Sequence, residues 1–262
     1  LTVGEALRRS GIEAREARLL LASAMDTAEA QLLAFPEKEI RGSDAAAFRE
    51  LVRRRKGGEP IAYLLGVKEF YGLALEVTPA VLIPRPETEL LVELALAREF
   101  SSVADLGTGS GALALAIKRH RPRARVVAVD ASDAALAVAR RNAERHSLEV
   151  EFRHGSWLAP LGGETFDLIL ANPPYVAAGD PHLADLRFEP ARALVSGADG
   201  LDAIREIVGA APRHLSPGAW LLLEHGLGQD GAVRSLLARA GLEEARTWPD
   251  LAGIPRVSGA RR

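Results

Sequence analysis

The chain contains no cysteine. Disulfides and thiolate metal sites are therefore excluded, and the composition fits a reducing cytoplasm. Its six histidines are scattered and show no HExxH-type spacing, so no metal site is expected. No apolar run approaches the length needed to span a bilayer, and no charged-then-apolar leader opens the chain. Neither a membrane span nor export is expected, which again leaves the cytoplasm. Lysine is confined to Lys38, Lys56, Lys68 and Lys118, and Asn, Gln and Met are scarce. That bias towards arginine suits a heat-adapted protein, and a genomic preference for Arg and Ala codons accounts for it equally well. With a net charge of -2 there is no global basic field of the kind a general nucleic-acid binder carries.

What the chain does have is enough length, 262 residues, for one large or two modest domains of ordinary globular composition. Its organising stretch is Phe166 to Tyr175, Phe-Asp-Leu-Ile-Leu-Ala-Asn-Pro-Pro-Tyr. Leu168 to Ala171 form a short apolar run, the pattern of a strand buried on both faces. It stops at Asn172, because Pro173 and Pro174 lack N–H groups and cannot continue a central strand. In an open parallel sheet, ligands bind outside the carboxyl ends of the strands. An amide, two rigid carbonyls and an aromatic ring are thus offered where chemistry usually happens. Taken alone, the tetrapeptide fits a surface turn as well.

Residues 1–58 read as a small helical unit. Thr2 with Glu5 and Asp26 with Glu29 have capping-box spacing, and Ser43 is a third candidate cap. Ala17, Leu20, Leu21 and Ala24 lie on one helical face, as do Phe48, Leu51 and Val52. The basic run Arg53 to Lys56 reads first as a solvated helix end, and alternatively as a contact for ribosomal RNA or an acidic partner. Residues 59–84 change pattern. Val67 to Tyr71 and Leu73 to Thr78 predict a β-hairpin about Gly72, linking two domains. The run Ile83-Pro-Arg-Pro-Glu-Thr-Glu89 reads as a stiff leader to the helix Leu90 to Ala97.

From Ser102 onward strands and helices alternate, which predicts an α/β doubly wound sheet over residues 85–262. The strand Ser102 to Leu106 runs into Gly107-Thr108-Gly109-Ser110-Gly111 and the helix Ala112 to His120. Glycines here permit positive φ and let backbone N–H groups approach a ligand at a helix N-terminus. Gly107, Gly109 and Ala112 satisfy the dinucleotide fingerprint, while Asp105 and Gly111 better fit the D-x-G-x-G-x-G loop of methyltransferases. Asp130 ends the next strand about 20 residues on, where a carboxylate accepts ribose hydroxyls. Trp157 follows a third strand, and is either a core residue or a platform for an adenine ring.

With Asp105 to Gly111, Asp130 and Asn172-Pro-Pro-Tyr175 together, the chain resembles class I S-adenosylmethionine-dependent methyltransferases, and among them the subset that methylates planar nitrogens. Glu69-Phe-Tyr-Gly72, Ile83 to Glu89, Glu189-Pro190 and Asp199-Gly-Leu201 further resemble the peptide chain release factor N5-glutamine methyltransferase family, over nearly the whole chain. The resemblance implies a seven-stranded Rossmann-like sheet behind the helical unit and hairpin. It implies S-adenosylmethionine as cofactor, held by Gly107, Thr108, Gly109, Ser110, Gly111, Asp130, Trp157 and Asn172. It implies catalysis by Asn172, Pro173 and Tyr175, with the glutamine of a Gly-Gly-Gln loop gripped by Asn172, Pro173, Pro174 and Tyr175. Release factors are the implied partners, with no nucleic-acid substrate. The same acceptor pair suits adenine or cytosine amines, so a DNA or RNA methyltransferase is the first alternative. A nicotinamide-dependent oxidoreductase fits the glycine loop but leaves Asn172 to Tyr175 unexplained. A non-catalytic binding module would need a damaged site, and none is visible.

Overall fold

A computed structural model describes all residues, 1–262. It divides into two compact units, Leu1–Val67 and Lys68–Arg262.

The first unit holds five helices: α1 (Val3–Arg9), α2 (Ala14–Ala24), α3 (Glu29–Ala34), α4 (Gly42–Lys56) and α5 (Ile61–Leu65). Thr2 and Glu5 form the expected capping box on α1. The other two expected caps are absent. Asp26 has a positive φ of 47° and Ala28 occupies the start of α3 without a side-chain bond. Ser43 lies inside the first turn of α4, where Arg41 stands at the cap position. Leu20, Leu21 and Ala17 are fully buried with Phe48 and Val52, so one continuous apolar core holds α2 and α4 together. The basic run at the end of α4 is spent on carboxylates: Arg53 on Glu50, Arg54 on Glu59 and Arg55 on Glu16. Three of its four cations are therefore paired within the unit.

The second unit opens with a hairpin, β1 (Val67–Phe70) and β2 (Leu73–Glu76), turned by Tyr71 and Gly72, both at positive φ. Then follow α6 (Glu89–Leu96), β3 (Ser102–Leu106), α7 (Ala112–His120), β4 (Arg125–Asp130), α8 (Asp133–His146), β5 (Glu151–His154), β6 (Phe166–Ala171), α9 (Asp202–Ala210), β7 (Leu215–Glu224), α10 (Asp230–Arg239), β8 (Glu243–Pro249) and β9 (Pro255–Arg261). The sheet order is β5-β4-β3-β6-β7-β9-β8, parallel except for β9, which runs antiparallel to both neighbours. Alternate residues of each strand enter different cores. Leu106, Val129, Ile169 and Leu221 pack with α9 and α10, while Val103, Val126, Leu168 and Leu222 pack with α6 and α7. A sheet buried on both faces needs continuous apolar strands, which is the pattern read in Leu168 to Ala171.

The hairpin is docked rather than free. Phe70, Leu73 and Leu75 enter the core of the α6–α7 face. Asn142 of α8 binds both backbone groups of Glu76, accepting from its N–H at 2.6 Å and donating to its carbonyl at 3.0 Å, and also donates to the Ser110 carbonyl at 2.9 Å. One fully buried amide therefore joins the hairpin, the glycine loop and α8.

Between β6 and α9 the chain makes a long excursion closed at its neck. Val176 N–H donates to the Leu194 carbonyl at 2.8 Å, and Ser196 N–H to the Val176 carbonyl at 2.9 Å. Farther along, Glu189 accepts from the Ile83 N–H at 3.0 Å and from the Arg85 guanidinium, fastening the Ile83–Pro86 leader to this excursion.

Candidate functional site

Three strands of the sheet end in or beside a carboxylate at the carboxyl edge: Asp105 on β3, Asp130 on β4 and Glu224 on β7. Their surroundings give them different characters. Asp130 is half-buried and held by two backbone donors, Gly109 N–H at 2.9 Å to one oxygen and Ser132 N–H at 2.8 Å to the other. Each of its oxygens keeps a lone pair for a further donor. Ser132 then caps α8, its side chain accepting from the Ala135 N–H.

Asp105 is fully buried; one oxygen accepts from Thr108 Oγ1 at 2.6 Å and from the Ala114 N–H at 3.2 Å. The other oxygen has no partner, and burial pushes the carboxyl up to about 7.

Glu224 is likewise buried, and the loss of solvent pushes it up to about 7 against the influence of the Thr88 and Tyr175 hydroxyls. Tyr175 donates to its Oε1 at 3.2 Å, while Oε2 has no partner within hydrogen-bond distance. Burial, then the neighbouring carboxyl, raises the Tyr175 phenol.

The glycine loop is fixed to the end of β4, since the N–H groups of Gly107 and Thr108 both donate to the Val129 carbonyl. Gly107 has φ 76°, and a Cβ there would meet the Trp157 ring at 3.0 Å. A side chain at this position would therefore be strained and would push the indole away. A cleft of about 230 Å³ opens here, bordered by Gly107, Gly109, Asp130, Trp157, Asn172 and Pro174. A smaller recess continues from it past Thr88, Asp105, Thr108 and Ser110 to Asn172. A broader depression of about 750 Å³ lies at the amino ends of β4 and β5. It is on the wrong edge of the sheet for a ligand site of this fold.

The residues expected from sequence divide accordingly. Gly107, Gly109, Asp130, Trp157, Asn172 and Pro174 meet at the cleft, and Thr108 and Ser110 at the recess. Gly111 borders neither; it starts α7 at φ 85°, where a Cβ would press on Leu115 and Ala139. Pro173 is buried, and Tyr175 points its hydroxyl away towards Glu224. The Tyr175 backbone is clamped. Gln229 donates to its carbonyl at 3.0 Å, and a Cβ on Gly200 would fall 2.2 Å from the same oxygen. Asn172 donates through Nδ2 to Thr88 Oγ1 at 3.0 Å, and its Oδ1 bonds to no protein group.

Thr88 and Glu224 were not picked out by sequence reasoning. Glu224 carried a usable signal, a carboxylate closing an apolar strand at the same edge as Asp105 and Asp130. Thr88 carried none, because its partner lies 84 positions away.

The residues present fit an adenosyl cofactor. The loop requires glycine, a flat indole faces it, and a rigidly held carboxylate retains free lone pairs.

Residues 86–198 match the methyltransferase small domain family, and residues 3–66 match the PrmC N-terminal domain family. A Xylella fastidiosa (strain Temecula1) protein named release factor glutamine methyltransferase is 51% identical, covering 95% of this chain and 94% of its own length. Proteins of the same name from Pseudomonas aeruginosa and Burkholderia pseudomallei are 49% and 48% identical, covering 93% and 99% of this chain and 90% and 96% of their own. Among solved structures, a Thermus thermophilus 16S rRNA methyltransferase in complex with AdoMet and guanosine superposes with a TM-score of 0.57 at 24% identity, over 75% of this chain and 49% of that one. A Pyrococcus furiosus methyltransferase gives 0.57 at 19%, over 80% and 96%. These two likenesses establish the Rossmann-like methyltransferase fold. With the sequence relatives matching almost end to end, the chain belongs to the release factor glutamine methyltransferase family.

Proposed function

We propose that this protein transfers a methyl group from S-adenosylmethionine to the side-chain amide nitrogen (N5) of the glutamine in the Gly-Gly-Gln loop of a peptide chain release factor. On this reading it works in the cytoplasm, beside its substrate. The observation that carries the reading is the position of Asn172-Pro-Pro-Tyr175 at the carboxyl end of β6, where Asn172 and Pro174 border the cleft that the glycine loop and Asp130 also line.

Gly107 to Ser110, Asp130, Trp157 and Asn172 hold the cofactor, and Gly111 turns the loop into α7. Asp130 accepts the ribose hydroxyls with the lone pairs its two backbone donors leave free. Trp157 packs beside the adenine. When bound, the cofactor supplies an electrophilic methyl group on a sulfonium.

An amide nitrogen is a weak nucleophile because its lone pair is delocalised into the carbonyl. Asn172 Oδ1 and the Pro173 carbonyl accept its two N–H bonds, which fixes the nitrogen and raises its electron density. The lone pair is thereby aimed in near-attack geometry. Pro173 and Pro174 keep the carbonyl from moving, and Tyr175, locked by Glu224 and Gln229, covers the amide plane and excludes water. No base is needed beforehand, since the methylated, cationic amide is acidic and gives up its proton to solvent once it leaves the site.

The test is methyl transfer to a release factor, to its Gln→Ala variant, and to DNA or tRNA, read by mass spectrometry. Methylation of the intact factor at the glutamine alone is expected. Labelled nucleic acid, or equal labelling of the Gln→Ala variant, overturns the glutamine assignment in favour of an exocyclic-amine substrate.

A further inference from the structure

Thr88 precedes α6, where a threonine ordinarily caps the helix, yet its side chain makes no cap hydrogen bond. It is 4% exposed, and its hydroxyl accepts from Asn172 Nδ2 instead. A carboxamide has nearly the same shape either way round, so its partners decide which end faces the cleft. Here the Thr88 oxygen takes the Nδ2 end, which leaves Oδ1 without a protein partner and free for a substrate N–H.

We infer that Thr88 is a positioning residue, which holds the Asn172 amide with Oδ1 towards the substrate nitrogen. The flipped amide would present a donor to the substrate's own N–H groups and lose the acceptor. This inference rests on Asn172 being the acceptor described above.

The experiment compares Thr88→Val, Thr88→Ser, Asn172→Ala and the Thr88→Val/Asn172→Ala double variant on intact release factor, with rates normalised to cofactor-binding sites so that misfolded protein does not count. Thr88→Val should lower kcat by about tenfold or more while KM for the factor changes by no more than about two-fold, the signature of an interaction made in the transition state. Thr88→Ser, which keeps the hydroxyl, should restore most of the rate. In the Asn172→Ala background, Thr88→Val should cost nothing further.

Asn172→Ala impaired beside an unimpaired Thr88→Val refutes this inference alone. So does a serine variant as slow as the valine one, since the missing methyl would then matter, not the hydroxyl. Full kcat in Asn172→Ala refutes the acceptor role itself, and the positioning role with it.

Discussion

At the scale of single residues, Asp130 and Asn172 show what a strand end makes legible. Both were identified from the place where an apolar run stops, which is a local property of sequence. Asp130→Ala should weaken S-adenosylmethionine binding by ~1.5–3 kcal/mol, the range for hydrogen bonds to a charged group. Calorimetry showing unchanged affinity would remove the ribose assignment. Some of the loss will come from the Gly109 and Ser132 N–H groups that the carboxylate now holds, so Asp130→Asn, which keeps one acceptor oxygen, should fall between the two. Trp157 was open between core and ligand platform, and the structure explains the ambiguity. It is half-buried, takes φ 46°, and packs its ring against Gly107 while bordering the cleft. Thr88 illustrates the opposite case. Local context offered only a helix leader, and its real partner is brought near by the folded sheet.

At the scale of elements, legibility followed length and period. β3, β4, β6 and α7 lie where the apolar runs and their glycine stop placed them. The five-residue helix α5 went unread, since one turn after Pro60 is too short to show a period. The Asp26 cap failed because that residue adopts a left-handed backbone and leads into a turn instead. β7 carries a measurable consequence at its end. Burial pushes Glu224 up to about 7 in the folded protein from an ordinary 4.5. Between those values the folded state binds the proton and the unfolded state does not, so stability falls as pH rises through that window. The loss is on the order of 3 kcal/mol, and below the ordinary value it disappears. Glu224→Gln should therefore flatten the decline in melting temperature between pH 5 and 8, leaving the part due to Asp105, which is shifted the same way. Identical pH slopes in the two proteins would show that Glu224 is not the cause.

At the scale of the whole molecule, the two compact units have separate apolar cores. A Gly-Gly-Gln loop offers few contacts, whereas stable recognition buries roughly 1,200–2,000 Å². We propose that the helical unit supplies that extra surface. Its core includes Leu64 of α5, so a clean deletion removes residues 1–67 rather than stopping at the Gly57-Gly58 break. The truncated enzyme should show a strongly raised KM for intact release factor and little change on a short Gly-Gly-Gln peptide. Equal activity on intact factor would refute the docking role and leave the chemistry standing. The closed neck of the excursion after β6 also has a consequence for covalent continuity. Val176 and Val195 bridge its base, and β6 and β7 on either side are bonded neighbours in the sheet. A backbone cut at the exposed residues Ala184 and Asp185, introduced through an engineered protease site, would sever the polypeptide without parting its halves. The nicked protein should elute as one species and bind cofactor as before; separation of the fragments would show that the tether, and not the neck, holds Asn172 to Tyr175 in register.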